Sequence, residues 1–213
     1  MENLIQTLAI YAIPVLFAIT LHEAAHGYVA RHFGDPTAWQ LGRITLNPLR
    51  HIDPVGTVLV PALTVSLGGF FFGWAKPVPV DFGRLRKPKQ DMFWVAAAGP
   101  GANLAMAFAW AALLKLAVVM PDNAYSLPLA EMARAGISVN AMLMLLNLLP
   151  IPPLDGGRIV VSLLPPPFAW KFAQLERFGF VILLALLFLG VLDYILSPLR
   201  WYFLFFIKNL FSL

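Results

Sequence analysis

The stretch LIQTLAIYAIPVLFAITLHEAAHGYV, residues 4–29, is a long apolar run broken near its end by His22, Glu23 and His26. On a helix, positions i and i+4 share a face, with Cβ atoms about 5–6 Å apart. Two imidazoles at that spacing can bind one zinc ion at about 2.0–2.1 Å each. Glu23 follows the first of them and can reach a zinc-activated water as a general base. By chance an H-E-x-x-H pattern arises in a chain of this size on the order of once in a few hundred. The plainer alternative is a polar patch at a helix end, with both rings satisfied by hydrogen bonds. The apolar setting weighs against it. A carboxylate near the bilayer interior costs about 2.5–3.5 kcal/mol on insertion scales, so an ionisable cluster there points to function.

Composition agrees with that setting. Of 213 residues, 60% are hydrophobic and 12% charged, and mean hydropathy is +0.76. Soluble domains are nearer to about 45–50% apolar and about 25% charged. We therefore expect an all-α polytopic membrane protein folded as a single membrane-embedded domain over 1–213. The absence of cysteine removes disulfides and thiolate zinc ligands, leaving His, Asp and Glu, with only four histidines: His22, His26, His32 and His51. The net charge of +4 bears on orientation in the bilayer. Basic residues sit in short loops rather than along an aromatic-interleaved face, which argues against nucleic acid. Met1-Glu2-Asn3 carries no Lys or Arg and the apolar run is too long for an h-region, so it reads as a retained first span rather than a signal peptide.

A span needs about 20 mostly apolar residues. The pattern predicts a bundle of about 5–6 transmembrane helices. A zinc-binding helix covers 4–33, a segment that spans or re-enters covers 54–72, and a basic loop covers 73–90. Core helices cover 91–120 and 127–149, with Asp91 as the cap of the first. A Pro/Asp-Gly-Gly loop covers 150–175 and a C-terminal helical hairpin 176–213, turning around Asp193 to Pro198. Basic loops flank segment 54–72 on both sides and both favour the cytoplasm. A re-entrant segment resolves that conflict if protein or water covers its backbone. A true span with the Lys/Arg loop outside is the competing reading. With re-entry, the N-terminus lies outside and the C-terminus inside. The active site then falls nearer the cytoplasmic face of a prokaryotic plasma membrane.

A catalytic zinc usually takes three protein ligands and leaves one position for water. Asp155 is the best third candidate. It lies in NLLPIPPLDGGR, residues 147–158, directly after an apolar run. The prolines stop the helix, and the two glycines allow tight or left-handed backbone beside the acid. By the loop charges, this bend and the inner end of the first helix share one side of the membrane. An ordinary surface turn is the alternative. His32, six residues past His26, faces elsewhere on a helix. It and His51 read as interfacial residues.

These residues together resemble the site-2 protease family of intramembrane zinc metalloproteases. HEAAH at 22–26, AGPGAN at 98–103 and NLLPIPPLDGGR at 147–158 occur in the family's order and cover most of the chain. It is similar to a short member without an appended PDZ or CBS domain. The resemblance implies His22, His26 and Asp155 as ligands of Zn2+ and Glu23 as catalytic acid/base. It also implies Asn103 and Asn147 as polar residues near the site, donating to the substrate carbonyl or holding backbone. A helix–helix hydrogen bond is the alternative for each. The implied activity is hydrolysis of peptide bonds in transmembrane or membrane-proximal segments of protein substrates, within the lipid bilayer. A helical substrate must first be locally extended. GWAKPVPV, residues 73–80, is a candidate edge strand for holding it or, alternatively, an interfacial loop. The basic run 84–89 is expected at anionic headgroups. A non-catalytic metal-binding transporter or scaffold is the second class. A transporter favours an internal repeat, and none is visible.

Overall fold

The computed structural model describes residues 2–59, 76–121 and 123–213. Among these residues the helices are α1 (Glu2–His32), α2 (Thr37–Gln40), α3 (Pro88–Val119) and α4 (Ser126–Asn147), then α5 (Asp155–Leu163), α6 (Pro166–Ala173), α7 (Glu176–Phe188) and α8 (Val191–Phe211). No strand occurs among them. The expected all-α membrane architecture is what forms. Ile5–His32, Pro88–Val119 and Ser126–Asn147 are each long and apolar enough to cross a membrane, and α7 with α8 adds a fourth span if the bent pair is one.

The three long helices pack on one another, and their contact faces are built from small residues. Ala18 of α1, Ala107 and Ala111 of α3, and Ala133 and Ala141 of α4 are fully buried. Lipid gives helices no hydrophobic reason to associate, so close backbone approach through small side chains supplies the attraction. Many larger apolar side chains point outward instead, as at Trp94, Leu116 and Val119. Ile207 of α8 returns to pack where the C-terminal half of α3 meets the N-terminal half of α4.

Local chemistry moves several expected boundaries. α3 starts at Pro88 rather than at residue 91, because proline suits the first helical position. Asp91 is a first-turn residue, not the cap. Its Oδ2 accepts the Lys87 N–H at 2.7 Å, which satisfies one of the orphan donors at that end. The expected loop over 150–175 contains α5 and α6. Asp155 opens α5, where a carboxylate is favoured by the helix dipole, and Pro166 opens α6. Gly156 and Gly157 are helical and not left-handed. Their missing Cβ atoms serve close packing. A Cβ on Gly156 would strike the carbonyls of Leu148 and Leu149, and one on Gly157 the backbone of Pro152.

The C-terminal turn lies elsewhere than expected. α7 and α8 meet at 77°, at Gly190, which takes φ +70°, a conformation glycine adopts with little strain. Asp193 sits in the first turn of α8, where it accepts the Ser197 hydroxyl at 2.9 Å, and Pro198 lies inside that helix. The proposed re-entrant segment 54–72 lies mostly outside the described residues; only its first turn, Pro54–Leu59, is seen. Of the candidate edge strand 73–80, residues 76–80 are described. They are extended but pair with no strand.

Candidate metal centre

α1 is apolar on nearly every side, so only packing decides which face it buries. In its C-terminal half it lies against α3, and the crossing is close because Gly99 of α3 has no side chain. A Cβ there would collide with the imidazoles of both His22 and His26. The start of α5 approaches from the side of α3 and brings Asp155 to the same point. His22, His26 and Asp155 are 7%, 7% and 5% exposed, and among the described residues they form a group that could hold a metal ion.

Hydrogen bonding fixes which atoms face the centre. His22 Nδ1 lies 2.5 Å from Asn103 Oδ1, and His26 Nδ1 lies 2.7 Å from the Val95 carbonyl. Both partners accept only, so each Nδ1 carries a proton, and in the neutral ring each Nε2 presents a lone pair. The two Nε2 atoms are 3.1 Å apart, and Asp155 Oδ2 lies 3.2 Å from one and 3.3 Å from the other. No hydrogen bond reaches that buried oxygen. With both rings neutral, three electron-rich acceptors in mutual contact repel one another, and a cation between them relieves that repulsion.

The donor set fits zinc on this observation. Tetrahedral bonds of about 2.0–2.1 Å separate ligand atoms by about 3.3–3.4 Å, against the 3.1, 3.2 and 3.3 Å found here. Two neutral imidazoles and a carboxylate are also a recurrent catalytic set that leaves a position for water. Second partners on the outer ring nitrogens are what such ligands need to hold their tautomer and orientation.

Glu23 is half-buried on the neighbouring face of α1, and its Oε2 accepts the Val78 N–H at 2.7 Å. The donor belongs to an extended strap, residues 76–81, laid along the end of α1. Arg43 Nη2 donates to the Lys76 and Pro77 carbonyls at 2.9 and 3.3 Å. Buried Asp35 accepts the Asp81 N–H at 2.7 Å. Val78 itself packs against α1 where Gly27 leaves room.

The remaining expected residues divide. Asn103 is fully buried, and its amide nitrogen donates to Ala18 O at 3.2 Å and Asn140 Oδ1 at 2.9 Å. With its oxygen on His22, that side chain is saturated, and holding backbone is one of the two parts expected of it. Asn147 ends α4 half-buried and donates back to Leu143 O at 3.0 Å. His32 and His51 stay out of the cluster, as expected. His51 is buried, however, with Nε2 on the Thr45 carbonyl at 3.0 Å. Sequence reading passed over Asn140, the Val95 carbonyl and the Val78 N–H. Asn140 had a visible signal, an amide within an apolar helix where polar side chains act as interhelical glue. The two backbone groups had none.

Comparison with known proteins accords with this geometry. Residues 116–189, which include Asp155, match Peptidase family M50. The chain is 41% identical over 190 residues to "Putative zinc metalloprotease YwhC" of Bacillus subtilis, covering 88% of this chain and 84% of that protein. It is 34% identical over 190 residues to "Putative zinc metalloprotease Rip2" of Mycolicibacterium smegmatis, covering 88% and 68%. The Rip2 protein of Mycobacterium tuberculosis strain H37Rv is 33% identical over 175 residues, covering 80% and 63%. No solved structure matches. The chain belongs to peptidase family M50, the site-2 protease family. It is accordingly an integral membrane metalloprotease, with zinc as its cofactor.

Proposed function

We propose that this chain is an intramembrane endopeptidase in which His22, His26 and Asp155 hold zinc and Glu23 serves as acid and base. The observation that carries the reading is the buried triangle of three potential ligand atoms, with Asp155 Oδ2 left without a hydrogen bond. When bound there, zinc supplies Lewis acidity toward the scissile carbonyl and makes a neighbouring water acidic enough to attack near neutral pH.

The protein supplies the rest. Asn103 and the Val95 carbonyl hold both Nδ1–H groups and aim both Nε2 atoms inward. The Val78 N–H holds Glu23 Oε2 and leaves Oε1 to work. That oxygen accepts the proton of the attacking water and then passes it to the departing amine. Small side chains at the α1–α3 crossing keep bulk water from the cluster, which strengthens each charge interaction within it. Asn147, at the mouth of the same helix ends, is our candidate donor to the substrate carbonyl, since its Oδ1 and second N–H are not used by the helix.

The substrates are transmembrane or membrane-proximal protein segments, reached from the cytoplasmic side, where the basic loops belong. The strap is a poor edge for strand addition. Pro77 and Pro79 have no N–H, and those of Lys76 and Val78 are committed to the His51 carbonyl and Glu23. We place recognition of extended substrate outside the strap.

Glu23→Gln is the decisive variant. It should keep one zinc per chain by metal analysis, and cleave a membrane-embedded substrate at least about a thousand-fold more slowly, as expected when a proton-transfer group and its charge are lost together. Cleavage at the parental rate would favour the non-catalytic metal-binding class instead.

A further inference from the structure

We propose that the basin beside the cytoplasmic end of α1 binds the phosphodiester headgroup of an anionic phospholipid. A cavity of about 530 Å³ opens there, and its charged lining residues are Arg43, Arg50 and Lys76. No carboxylate lines it, and none of the three cations makes an ion pair with a described residue. Like charges gathered without a counter-ion repel, so the arrangement favours an anion that the protein itself does not provide.

Arg43 is the built part of the site. It is only 9% exposed, yet its guanidinium faces no acid. Its Nη2 is used on the Lys76 and Pro77 carbonyls, while its buried Nε–H has no partner among the described residues. A buried guanidinium with an unused donor is unfavourable, and its planar fork matches phosphate oxygens. His51 lies beneath the same loop, 2% exposed, with Nδ1 likewise unpartnered.

The surroundings choose among phosphate sources. The cavity wall presents Leu41, Leu49 and Ile52, which are 59%, 72% and 39% exposed, with Trp39 nearby at 52%. Aliphatic side chains exposed beside a ring of cations suit acyl chains below a headgroup, and a tryptophan at that level is a usual interfacial anchor. A free phosphate ester or an acidic peptide would leave those side chains in water. The lipid site is independent of the metal chemistry, although Arg43 also carries the strap that donates to Glu23.

Native mass spectrometry of the full chain in detergent tests this, with dioleoyl phosphatidylglycerol titrated against dioleoyl phosphatidylcholine. The parent should prefer phosphatidylglycerol. Arg50→Gln should weaken that binding about five-fold, the usual contribution of one cation at a lipid surface. Arg43→Gln should weaken it further, and Arg134→Gln, whose guanidinium is paired with Glu131, should not change it. Arg50 makes no side-chain bond to a described residue, so its variant keeps the test sound if Arg43→Gln folds poorly. Unchanged phosphatidylglycerol binding by Arg50→Gln overturns the proposal. So does binding of sn-glycerol 1-phosphate as tight as that of the lipid, or displacement of the lipid by an acidic peptide.

Discussion

Two glycines on neighbouring helices do the same steric job for opposite purposes. Gly99 of α3 makes room for the imidazoles of His22 and His26, and Gly136 of α4 makes room for the indole of Trp110. At each, an added Cβ would overlap ring atoms. The difference lies in what the ring can do about it. Each imidazole is pinned at Nδ1, by Asn103 and by the Val95 carbonyl, and is buried. Trp110 is half-buried, and no hydrogen bond holds it. A close helix crossing is therefore rigid where polar partners fix the ring and yielding where only apolar contact does. The metal cluster sits at the rigid one.

Gly99→Ala should have the largest effect. Neither imidazole can retreat without losing its Nδ1 partner, so both donors leave the triangle together. We expect zinc affinity to fall by at least about 100-fold, the upper end for losing support of a ligand. Competition with a chromophoric chelator would measure it, and retention of tight zinc would break the contrast. Asn103→Leu comes next. It removes one pin and strands the Asn140 amide oxygen in the core. Zinc affinity should fall about 10–100-fold, while Asn140→Leu, one step further out, should do less.

Legibility in the sequence follows the same division. His22, Glu23 and His26 could be placed together because they share one helix, where spacing alone sets geometry. Asp155 was visible as an acid at the end of an apolar run, yet its supposed setting was wrong in detail. Prolines and glycines suggested a stiff bend, whereas the acid opens α5 and the glycines serve backbone packing. Propensity is a weak guide there, because tertiary contact overrides it. The hairpin placement erred for a related reason. The turn was expected around Asp193 to Pro198, but Pro198 lies inside α8, and Gly190 at φ +70° supplies the turn. The Val95 carbonyl and the Val78 N–H are backbone groups, which carry no residue-type signal at all.

Val78 sharpens the contrast from the side of Glu23. Val78→Pro deletes the N–H on Oε2 while keeping an extended chain between Pro77 and Pro79. Val78→Ala keeps the N–H and trims the contact at Gly27. A hydrogen bond to a charged group contributes about 1.5–3 kcal/mol when buried. Glu23 is only half-buried, so we expect turnover to drop about ten-fold in the proline variant, with zinc content unchanged. Equal activity of the two variants would show that the strap does not position Glu23.

Gly136→Ala should have the smallest effect, because two opposing terms nearly cancel. Alanine inside a helix is favoured over glycine by about 1 kcal/mol, and overpacking costs about 1–3 kcal/mol. Trp110 can swing toward lipid, which puts the overpacking cost at the low end and the net change near zero. Thermal unfolding in detergent should show little or no shift, and zinc affinity should match the parent. A large loss of zinc in Gly136→Ala would mean that Trp110 transmits strain along α3 to Gly99. The two crossings would then act as one mechanical unit, since Asn103 and Trp110 lie on the same helix between them and the path for such strain is short.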